Sequence, residues 1–296
     1  MIDFDDLDTL QLTNEDWIKI GYICLLQRKI DDVGLQSWCK KVKDGTFHYK
    51  DFLDTLMLSP EYLMHYKIPF STVLHQTRVK WVSSLPYYST ILDIGGSSPN
   101  SPLGAMIELG YTHRPHSITI FDLPPEKQYW GKPKYEQREL FSFEWGKIQY
   151  VHGYAEKIET YEFFKNKKYD CIFLGQTIEH IEKKAIEDLF RWIFDHISIN
   201  GRLIFDTPNR RLTGIQFPHK LSDMDHKYEY TPHEMEILLN KYGFEVMNKW
   251  GFLHMPETLN NKIFDPLEIY ETEKLNHNPE DSYCFAFECG KRLSHK

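Results

Sequence analysis

Three side chains that can move a proton or bind a metal ion lie in two short polar stretches of the sequence. Glu179 and His180 end the stretch GQTIEH that follows the apolar run 169–174, and His226 lies in the later stretch DHKYEYT at 225–231. A carboxylate and two imidazoles can act as general acids and bases or as ligands of a divalent cation. Because both stretches follow predicted strands, we expect the three side chains to meet at the carboxyl edge of a sheet.

The element expected to anchor that sheet is the stretch ILDIGGSSPN at 91–100. Its apolar residues predict a short buried strand, and Gly95 and Gly96 predict a tight turn that a ligand can approach closely. The next predicted strand, SITIF, ends on Asp122. A carboxylate at that position can accept hydrogen bonds from the two vicinal hydroxyls of a ribose. The order of strand, glycine turn and helix is typical of a nucleotide-binding unit.

Two segments between the predicted strands carry further expectations. Apolar residues at helical spacing predict a helix that begins near Pro102 and ends at Gly110. The connection from Pro124 to Lys147 is longer than a usual strand-to-helix connection and is rich in aromatic and charged residues. It is a candidate for a lid over the substrate.

Three stretches of the chain carry a family resemblance. Asp93-Ile94-Gly95 resembles the first motif of class I S-adenosylmethionine-dependent methyltransferases. GQTIEHI at 175–181 and INGRLIFDTPN at 199–209 resemble the fourth-strand motif and the fifth strand of the same fold. The resemblance spans residues 88–290. It implies an α/β architecture, a Rossmann-like seven-stranded methyltransferase sheet with helices on both faces, whose last two strands form an antiparallel pair.

The same resemblance implies S-adenosyl-L-methionine as the cofactor. In this family the acid before the glycine turn organises that turn, and the turn after the third strand lies along the adenine. The glycine turn departs from the family pattern, since Ser97 and Pro99 stand where glycines are more usual. The residues expected to bind the cofactor are Asp93, Gly95, Gly96, Asp122, Leu123, Tyr154, Ala155, Gly175 and Gln176.

The stretch DHKYEYT also resembles a segment of the eukaryotic methyltransferases that modify the terminal ribose 2′-hydroxyl of small RNAs. Those enzymes hold a divalent cation with an E-x-x-E-H set and a later histidine. The resemblance implies that Glu179, His180 and His226 are both catalytic residues and metal ligands. Oxygen and imidazole ligands together with an amide suit Mg²⁺ or Mn²⁺, and two histidines also admit zinc or iron. Gln176 replaces one carboxylate and would be a weaker, neutral fourth ligand. The alternative is that Glu179 contacts the substrate and His180 acts as a general base without a metal.

Residues 1–66 predict a separate helical domain, followed by a connecting helix at 67–89 and the methyltransferase domain at 90–296. The pattern of the first domain resembles a small helical domain of uncharacterised role that recurs in bacterial enzymes making surface polysaccharides. Arg28, Asp31 and Gly34 fit its loop. Trp38 and the closing Ser59-Pro-Glu-Tyr fit the remainder.

Composition restricts the partners of this chain. Its net charge of −8 argues against a protein whose main partner is a nucleic-acid backbone. Five scattered cysteines, an acidic N-terminal stretch and the lack of a long apolar run favour a reduced, cytoplasmic setting without a membrane span. A glycan or sugar acceptor remains compatible with these features, and oligomeric state is not indicated.

The sequence supports one leading function and two alternatives. The leading hypothesis is an O-methyltransferase that modifies a sugar hydroxyl of a bacterial surface polysaccharide, of the O-antigen or capsule type, or of its precursor. The first alternative is an RNA ribose 2′-O-methyltransferase, which the DHKYEYT resemblance favours and the acidic charge opposes. The second is a glycan-binding protein with a degenerate methyltransferase fold, which the departure at the glycine turn would permit.

Overall fold

The computed structural model describes residues 12–44, 48–66, 68–128, 133–136 and 138–292. The chain divides into two compact units. The first contains the described residues up to Val73 together with Ile269–Thr272, and the second contains Leu74–Glu268 and the described residues from Glu273 onward. How these units divide the function between them stays a prediction.

The first unit is a small bundle of helices around its own core. Its described helices are α1 Asn14–Leu26, α2 Asp32–Lys43, α3 Tyr49–Met57 and α4 Pro60–Tyr66. Helix α1 begins with a capping box in which Thr13 and Asp16 exchange hydrogen bonds. At Gly21 a Cβ atom would lie 2.6 Å from the Phe52 ring, so glycine permits α1 to pack closely on α3. The buried residues at the centre are Ile18, Leu26, Phe52 and Leu56.

The residues of this unit that resemble the small helical domain of bacterial enzymes form contacts within the unit. The Asp31 side chain caps α2 by accepting a hydrogen bond from the Gly34 N–H at 2.8 Å. Arg28 forms a two-pronged ion pair with Glu61, with nitrogen to oxygen distances of 2.5 and 2.8 Å. Trp38 packs edge-on against the Phe52 ring, at 5.0 Å between ring centroids. These residues therefore stabilise the bundle itself.

The second unit is built on one sheet, which has nine strands among the described residues. In chain order the strands are β1 Thr90–Ile94, β2 Ser117–Asp122, β3 Leu140–Phe143, β4 Gly146–His152, β5 Tyr169–Gly175, β6 Ile197–Pro208, β7 Phe244–His254, β8 Leu275–Asn276 and β9 Ser282–Lys291. Their order across the sheet is β3-β4-β2-β1-β5-β6-β9-β7-β8. Strands β4, β2, β1, β5 and β6 are parallel, and β9 pairs antiparallel with both β6 and β7.

The predicted number of seven strands was wrong, because two short strands extend the sheet at its edges. The seven central strands, from β4 to β7, are those that the sequence predicted. At one edge, β3 pairs antiparallel with β4, and its Leu140 remains 48% exposed. At the other edge β8 is only two residues long. β3 has four residues, none of them buried, and β8 has only two residues, so neither strand is long enough to give a clear alternation of buried and exposed positions in the sequence.

The remaining described helices lie before and between these strands in the chain. In chain order they are α5 Phe70–Ser83, α6 Ala105–Glu108, α7 Lys183–His196, α8 Arg210–Gln216, α9 Pro232–Lys241, α10 Pro256–Asn261 and α11 Glu268–Glu271. Helix α7 buries one apolar face in the core that it shares with β1, β5 and β6. Helix α9 begins with the predicted capping box of Thr231 and Glu234 and with Pro232 in its first turn.

The helix predicted from Pro102 to Gly110 is confined to α6, which has four residues. The preceding serines explain the difference, because their side chains hydrogen-bond local backbone N–H groups. Ser98 Oγ accepts from the Asn100 N–H and Ser101 Oγ accepts from the Leu103 N–H, both at 3.1 Å. The segment before α6 is therefore held as a loop.

The candidate lid at 124–147 is only partly described. Residues 129–132 and 137 lie outside the described residues, and the described part includes β3 and the turn to β4. Its role over the substrate stays a prediction. No described helix combines the length and the apolar character that crossing a membrane would require. All five cysteines are free thiols.

Candidate active site

The glycine turn after β1 leaves no room for a side chain at its first position. Gly95 has a φ of +77°, and its N–H donates to the Phe121 carbonyl at 2.8 Å. A Cβ atom there would lie 2.5 Å from Thr177 Oγ1. Glycine is needed both for the backbone conformation and for this close approach. As a result the backbone of Gly95 lines a cavity at the carboxyl edge of the sheet.

Asp93 lies beneath this turn and does not line that cavity. Its Oδ2 accepts a hydrogen bond from the Met106 N–H at 3.3 Å, which ties the turn to the start of α6. A Cβ at Gly96 would lie within 2.5 Å of the Asp93 carboxyl group, so the second glycine makes room for the acid. Burial raises the pKa of Asp93 to about 7. The arrangement fits the expected role of Asp93 in organising the turn.

Asp122, at the end of β2, lines the cavity together with Leu123. Its Oδ2 accepts from the Ser97 N–H at 2.9 Å, and its Oδ1 accepts from the Leu123 N–H at 2.6 Å. Burial raises the pKa of Asp122, and these two backbone hydrogen bonds oppose that rise. Each oxygen keeps a further lone pair, which is what recognition of two ribose hydroxyls requires. That recognition stays a prediction.

The two residues predicted to lie at the adenine are placed differently. Ala155 lines the cavity, between Gly153 and Glu156, which line it as well. The Tyr154 side chain is 41% exposed and is not among the described residues that line the cavity. The backbone N–H of Tyr154 donates to the Tyr161 hydroxyl at 3.0 Å, and a role of Tyr154 at the adenine stays a prediction.

Gln176 lines the cavity in a conformation fixed by Asp206. Its φ is +52°, its N–H donates to the Asp206 carbonyl at 2.9 Å, and its Nε2 donates to Asp206 Oδ2 at 2.7 Å. Asp206 is fully buried and also pairs with Arg78 at 2.6 and 3.1 Å. Gly175 provides room for this pair, because a Cβ there would lie 3.2 Å from an Arg78 nitrogen. The Gln176 side-chain oxygen is the atom left to act as a ligand.

Glu179, His180 and His226 converge at one point of the cavity wall. One ligand atom from each of the three lies within 4.8 Å of the other two. The rings of His180 and His226 are 4.8 Å apart between centroids and nearly perpendicular. A short 3₁₀ turn at Ile178–His180 carries two of the side chains, and the loop before α9 carries the third. The backbone joins the two segments, because the Lys227 N–H donates to the Glu179 carbonyl at 2.7 Å.

Glu179 is a buried carboxylate with one oxygen held and one without a hydrogen bond. Its Oε2 accepts from Thr207 Oγ1 at 2.9 Å, whereas its Oε1 has no hydrogen-bond partner among the described residues. Burial raises the pKa of Glu179 to about 7. A buried carboxylate oxygen without a hydrogen bond and two neighbouring imidazoles are groups that can bind a divalent cation. These residues therefore fit a bound metal ion.

The two histidines differ in their surroundings. Burial lowers the pKa of His180, and the neighbouring His226 lowers it further. Burial also acts to lower the pKa of His226, but a hydrogen bond to Glu229 and the charge of Glu179 outweigh it, so the pKa is raised. His226 Nδ1 lies 2.7 Å from Glu229 Oε1. Glu229 had no role in the sequence-based prediction, although it stands three residues after His226 in DHKYEYT.

A single cavity of about 500 Å³ connects the glycine turn to this cluster. The polar and charged side chains along it are Asp122, Lys127, Gln128, Glu156, Gln176, Thr177, Glu179, His180, Asp223, Asp225, His226 and Lys227. Of the predicted site residues, Gly95, Asp122, Leu123, Ala155, Gln176, Glu179, His180 and His226 line it. Asp93, Gly96, Tyr154 and Gly175 do not line it. Sequence reasoning missed Thr207, Asp206, Arg78 and Glu229, which hold the lining residues in place.

The parallel sheet with its antiparallel β9 and a glycine turn after β1 defines a methyltransferase fold. A family profile described as a methyltransferase domain matches residues 73–249, and the chain belongs to this family. S-Adenosylmethionine is its cofactor. A second profile, described as a domain of unknown function (DUF4214), matches residues 4–66. Among curated proteins no relative matches the chain.

Solved structures are similar to this chain at low sequence identity. A SAM-dependent methyltransferase from Thermotoga maritima is 15% identical with a TM-score of 0.50, over 79% of this chain and 97% of that one. The small RNA methyltransferase HEN1 is 14% identical with a TM-score of 0.47; the match covers 76% of this chain but only 26% of HEN1. The N-methyltransferase NodS from Bradyrhizobium japonicum WM9, in complex with S-adenosyl-L-homocysteine, is 12% identical with a TM-score of 0.43, over 76% and 89%.

Proposed function

We propose that this chain is an O-methyltransferase that transfers the methyl group of S-adenosylmethionine to a sugar hydroxyl with the help of a divalent cation. The observation that carries the proposal is the continuity of the cavity. It runs from Gly95 and Asp122, at the expected cofactor position, to the cluster of Glu179, His180 and His226. A methyl donor and a hydroxyl group beside the cluster would therefore share one cavity, as an in-line displacement requires.

The side chains of the cluster suit the chemistry of a hydroxyl acceptor. Glu179 would supply its free Oε1 to the cation, and His180 and His226 would each supply one ring nitrogen. A cation bound there acts as a Lewis acid that lowers the pKa of a neighbouring hydroxyl, which is otherwise far above neutral pH. An amine acceptor becomes nucleophilic by losing a proton to an ordinary base. The cluster therefore favours oxygen over nitrogen as the methylated atom.

A metal-free mechanism is the alternative for the same residues. The lowered pKa of His180 keeps its ring neutral near pH 7, so that it could accept a proton from the substrate. In that case Glu179 would contact the acceptor through its Oε1. Chelation distinguishes the two mechanisms, since only the first depends on a cation.

The charge around the cavity favours an acceptor without phosphate groups. Five carboxylates line it, against two lysines; these residues are Asp122, Glu156, Glu179, Asp223 and Asp225, and Lys127 and Lys227. A phosphate-bearing RNA end would be repelled by these carboxylates and would find few cationic partners. A neutral sugar carries no such cost, and its hydroxyls can donate to the carboxylates. The RNA alternative is therefore the weaker one.

The first unit favours an acceptor that belongs to a bacterial surface polysaccharide. Its pattern resembles the helical domain found in bacterial enzymes that make surface polysaccharides, and the profile of a domain of unknown function matches it. We therefore propose that the acceptor belongs to a bacterial surface polysaccharide of the O-antigen or capsule type, or to its precursor. The helical unit would hold a long acceptor or a partner enzyme rather than take part in the chemistry.

An acceptor screen tests the proposal. The full chain is incubated with methyl-labelled S-adenosylmethionine and with bacterial surface oligosaccharides, a short RNA or a primary amine. We expect label in an oligosaccharide, loss of transfer on treatment with EDTA, and recovery with added Mn²⁺ or Mg²⁺. Glu179→Gln should abolish this transfer, whereas Glu182→Gln, at an exposed position nearby, should not. Transfer to RNA alone would support the ribose alternative, and transfer to an amine after chelation would overturn the proposal.

A further inference from the structure

Glu229 is a carboxylate with no exposed side-chain surface, placed behind His226. Its Oε1 lies 2.7 Å from His226 Nδ1 and also accepts hydrogen bonds from Ser222, at 2.7 Å from the N–H and 2.6 Å from the hydroxyl. Its Oε2 accepts from the Thr213 hydroxyl and from Arg210 Nη1, the latter at 3.4 Å. Donors thus surround both oxygens, and the carboxylate cannot turn without losing several hydrogen bonds.

This network decides which nitrogen of His226 carries a proton. An ionised carboxylate only accepts hydrogen bonds, so the His226 nitrogen that faces it must be a donor. When the ring is neutral, a proton on Nδ1 leaves the lone pair on Nε2. Because Nδ1 is engaged by Glu229, Nε2 is the nitrogen available to the cluster with Glu179 and His180.

We propose that Glu229 is the positioning residue of this site. It holds His226 as the Nδ1–H tautomer and directs the Nε2 lone pair toward Glu179 and His180. The orientation of the ring rests on the short contact between His226 Nδ1 and Glu229 Oε1, with Ser222 Oγ farther away at 3.4 Å, and does not depend on the proposed function. The effect of this ring orientation on cation affinity rests on the function proposed above. A carboxylate behind a ligating histidine typically changes metal affinity by about tenfold to a hundredfold when it is removed.

The first measurement reads the tautomer without any metal. The full chain is labelled with ¹⁵N-histidine, stripped of metal, and studied by NMR at an alkaline pH where the ring is neutral. The signals of His226 are assigned by their loss in His226→Asn. In the wild type we expect a protonated Nδ1 and an unprotonated Nε2. Glu229→Met removes every acceptor and should shift the population toward the Nε2–H tautomer, while Glu229→Gln keeps one acceptor oxygen and should shift it less.

The second measurement titrates Mn²⁺ into the same proteins by calorimetry. We expect the dissociation constant to rise about tenfold in Glu229→Gln and about a hundredfold in Glu229→Met. The matched control is Glu268→Gln, which alters another buried carboxylate of the same unit. Its oxygens accept from the N–H groups of Glu257 and Thr258, and it does not line the cavity. This control should leave both the tautomer and the affinity unchanged.

The two measurements separate the positioning role from the proposed function. If the wild type bound no Mn²⁺ but the tautomer still changed in the Glu229 variants, the metal proposal would fail and the positioning role would stand. If His226 kept its tautomer in Glu229→Gln and in Glu229→Met, the positioning role would be overturned. The same conclusion would follow if Glu268→Gln weakened Mn²⁺ binding as much as Glu229→Gln. Should Glu229→Met fail to fold, an unchanged tautomer together with an unchanged Mn²⁺ affinity in Glu229→Gln would overturn the positioning role.

Discussion

The side-chain nitrogen of Gln176 lies 2.7 Å from Oδ2 of Asp206, at the boundary between the cavity and the core. Asp206 is fully buried and is also held by Arg78, whose guanidinium donates to both carboxylate oxygens. The hydrogen bond orients the Gln176 amide, with its nitrogen toward the core. Because of this hydrogen bond, a change of charge at position 176 would alter the stability of the protein as well as the binding of a ligand in the cavity.

Gln176→Glu tests this relationship. On charge alone, a carboxylate at this position would strengthen cation binding. In this structure it would face Asp206 and would lack the hydrogen that Gln176 donates. We expect a loss of about 1–3 kcal/mol in the free energy of unfolding, measured by urea denaturation, and no gain in Mn²⁺ affinity. Tighter Mn²⁺ binding at unchanged stability would show that the Gln176 amide is not held by Asp206.

Arg78→Met should destabilise the second unit strongly. It would leave Asp206 buried without its cationic partner, which costs about 3–5 kcal/mol. The matched control is Arg191→Met, because Arg191 pairs with Asp188 on the surface and such pairs contribute at most about 1 kcal/mol. Chemical denaturation compares the two. Adding Asp206→Asn to Arg78→Met should restore part of the stability, and equal effects of the two arginine variants would contradict the prediction.

Asp122→Asn should weaken cofactor binding. The carboxylate would lose its charge and part of its capacity to accept from the ribose, which is worth about 2–4 kcal/mol for two charge-assisted hydrogen bonds. Calorimetry with S-adenosylhomocysteine measures the change. Asp170→Asn is the control, since Asp170 accepts from Thr90 at the opposite end of β1 and does not line the cavity. Unchanged affinity in Asp122→Asn would remove Asp122 from the binding site.

The stability of the second unit should fall as the pH rises from about 4 to about 7. Burial raises the pKa of Asp93 from 3.8 to about 7, so in this range the folded state binds a proton that the unfolded state has lost. The stability is therefore fully present below pH 4 and is lost as the pH approaches 7, by an amount on the order of 4 kcal/mol. Asp93→Asn should flatten this part of the pH profile in denaturation experiments. An identical slope in the variant would show that Asp93 is ionised throughout.

The helical unit should be dispensable for cofactor binding. It has its own core around Phe52, and the residues of its sequence pattern serve as caps and as the Arg28–Glu61 ion pair. A chain that begins at residue 67 should bind S-adenosylhomocysteine with the affinity of the full chain, measured by calorimetry. It should also methylate long glycan acceptors much more slowly than short ones. Loss of cofactor binding in the shortened chain would mean that the two units depend on each other to fold.

The parts of the fold that could be predicted are those with a local signal. The buried strand β1 and the turn at Gly95 follow from apolar residues and glycines that are adjacent in the chain. The capping box of Thr231 and Glu234 spans only three residues. By contrast, β3 depends on backbone pairing with β4, and the shortness of α6 depends on hydrogen bonds of the preceding serine side chains. The spacing of hydrophobic residues contains no signal for either feature. The periodic spacing of apolar residues indicates which side chains are buried, and neither feature is caused by side-chain burial.

The sequence by itself determined the chemical groups available at the site, because Asp122, Glu179, His180 and His226 follow predicted strands and carry a family resemblance. Only the tertiary structure decided how these groups are held. The hydrogen bond from Thr207 leaves one oxygen of Glu179 free, and Glu229 engages Nδ1 of His226. The physical reason is that hydrogen bonding and burial depend on distances through space, whereas a sequence pattern records only distances along the chain.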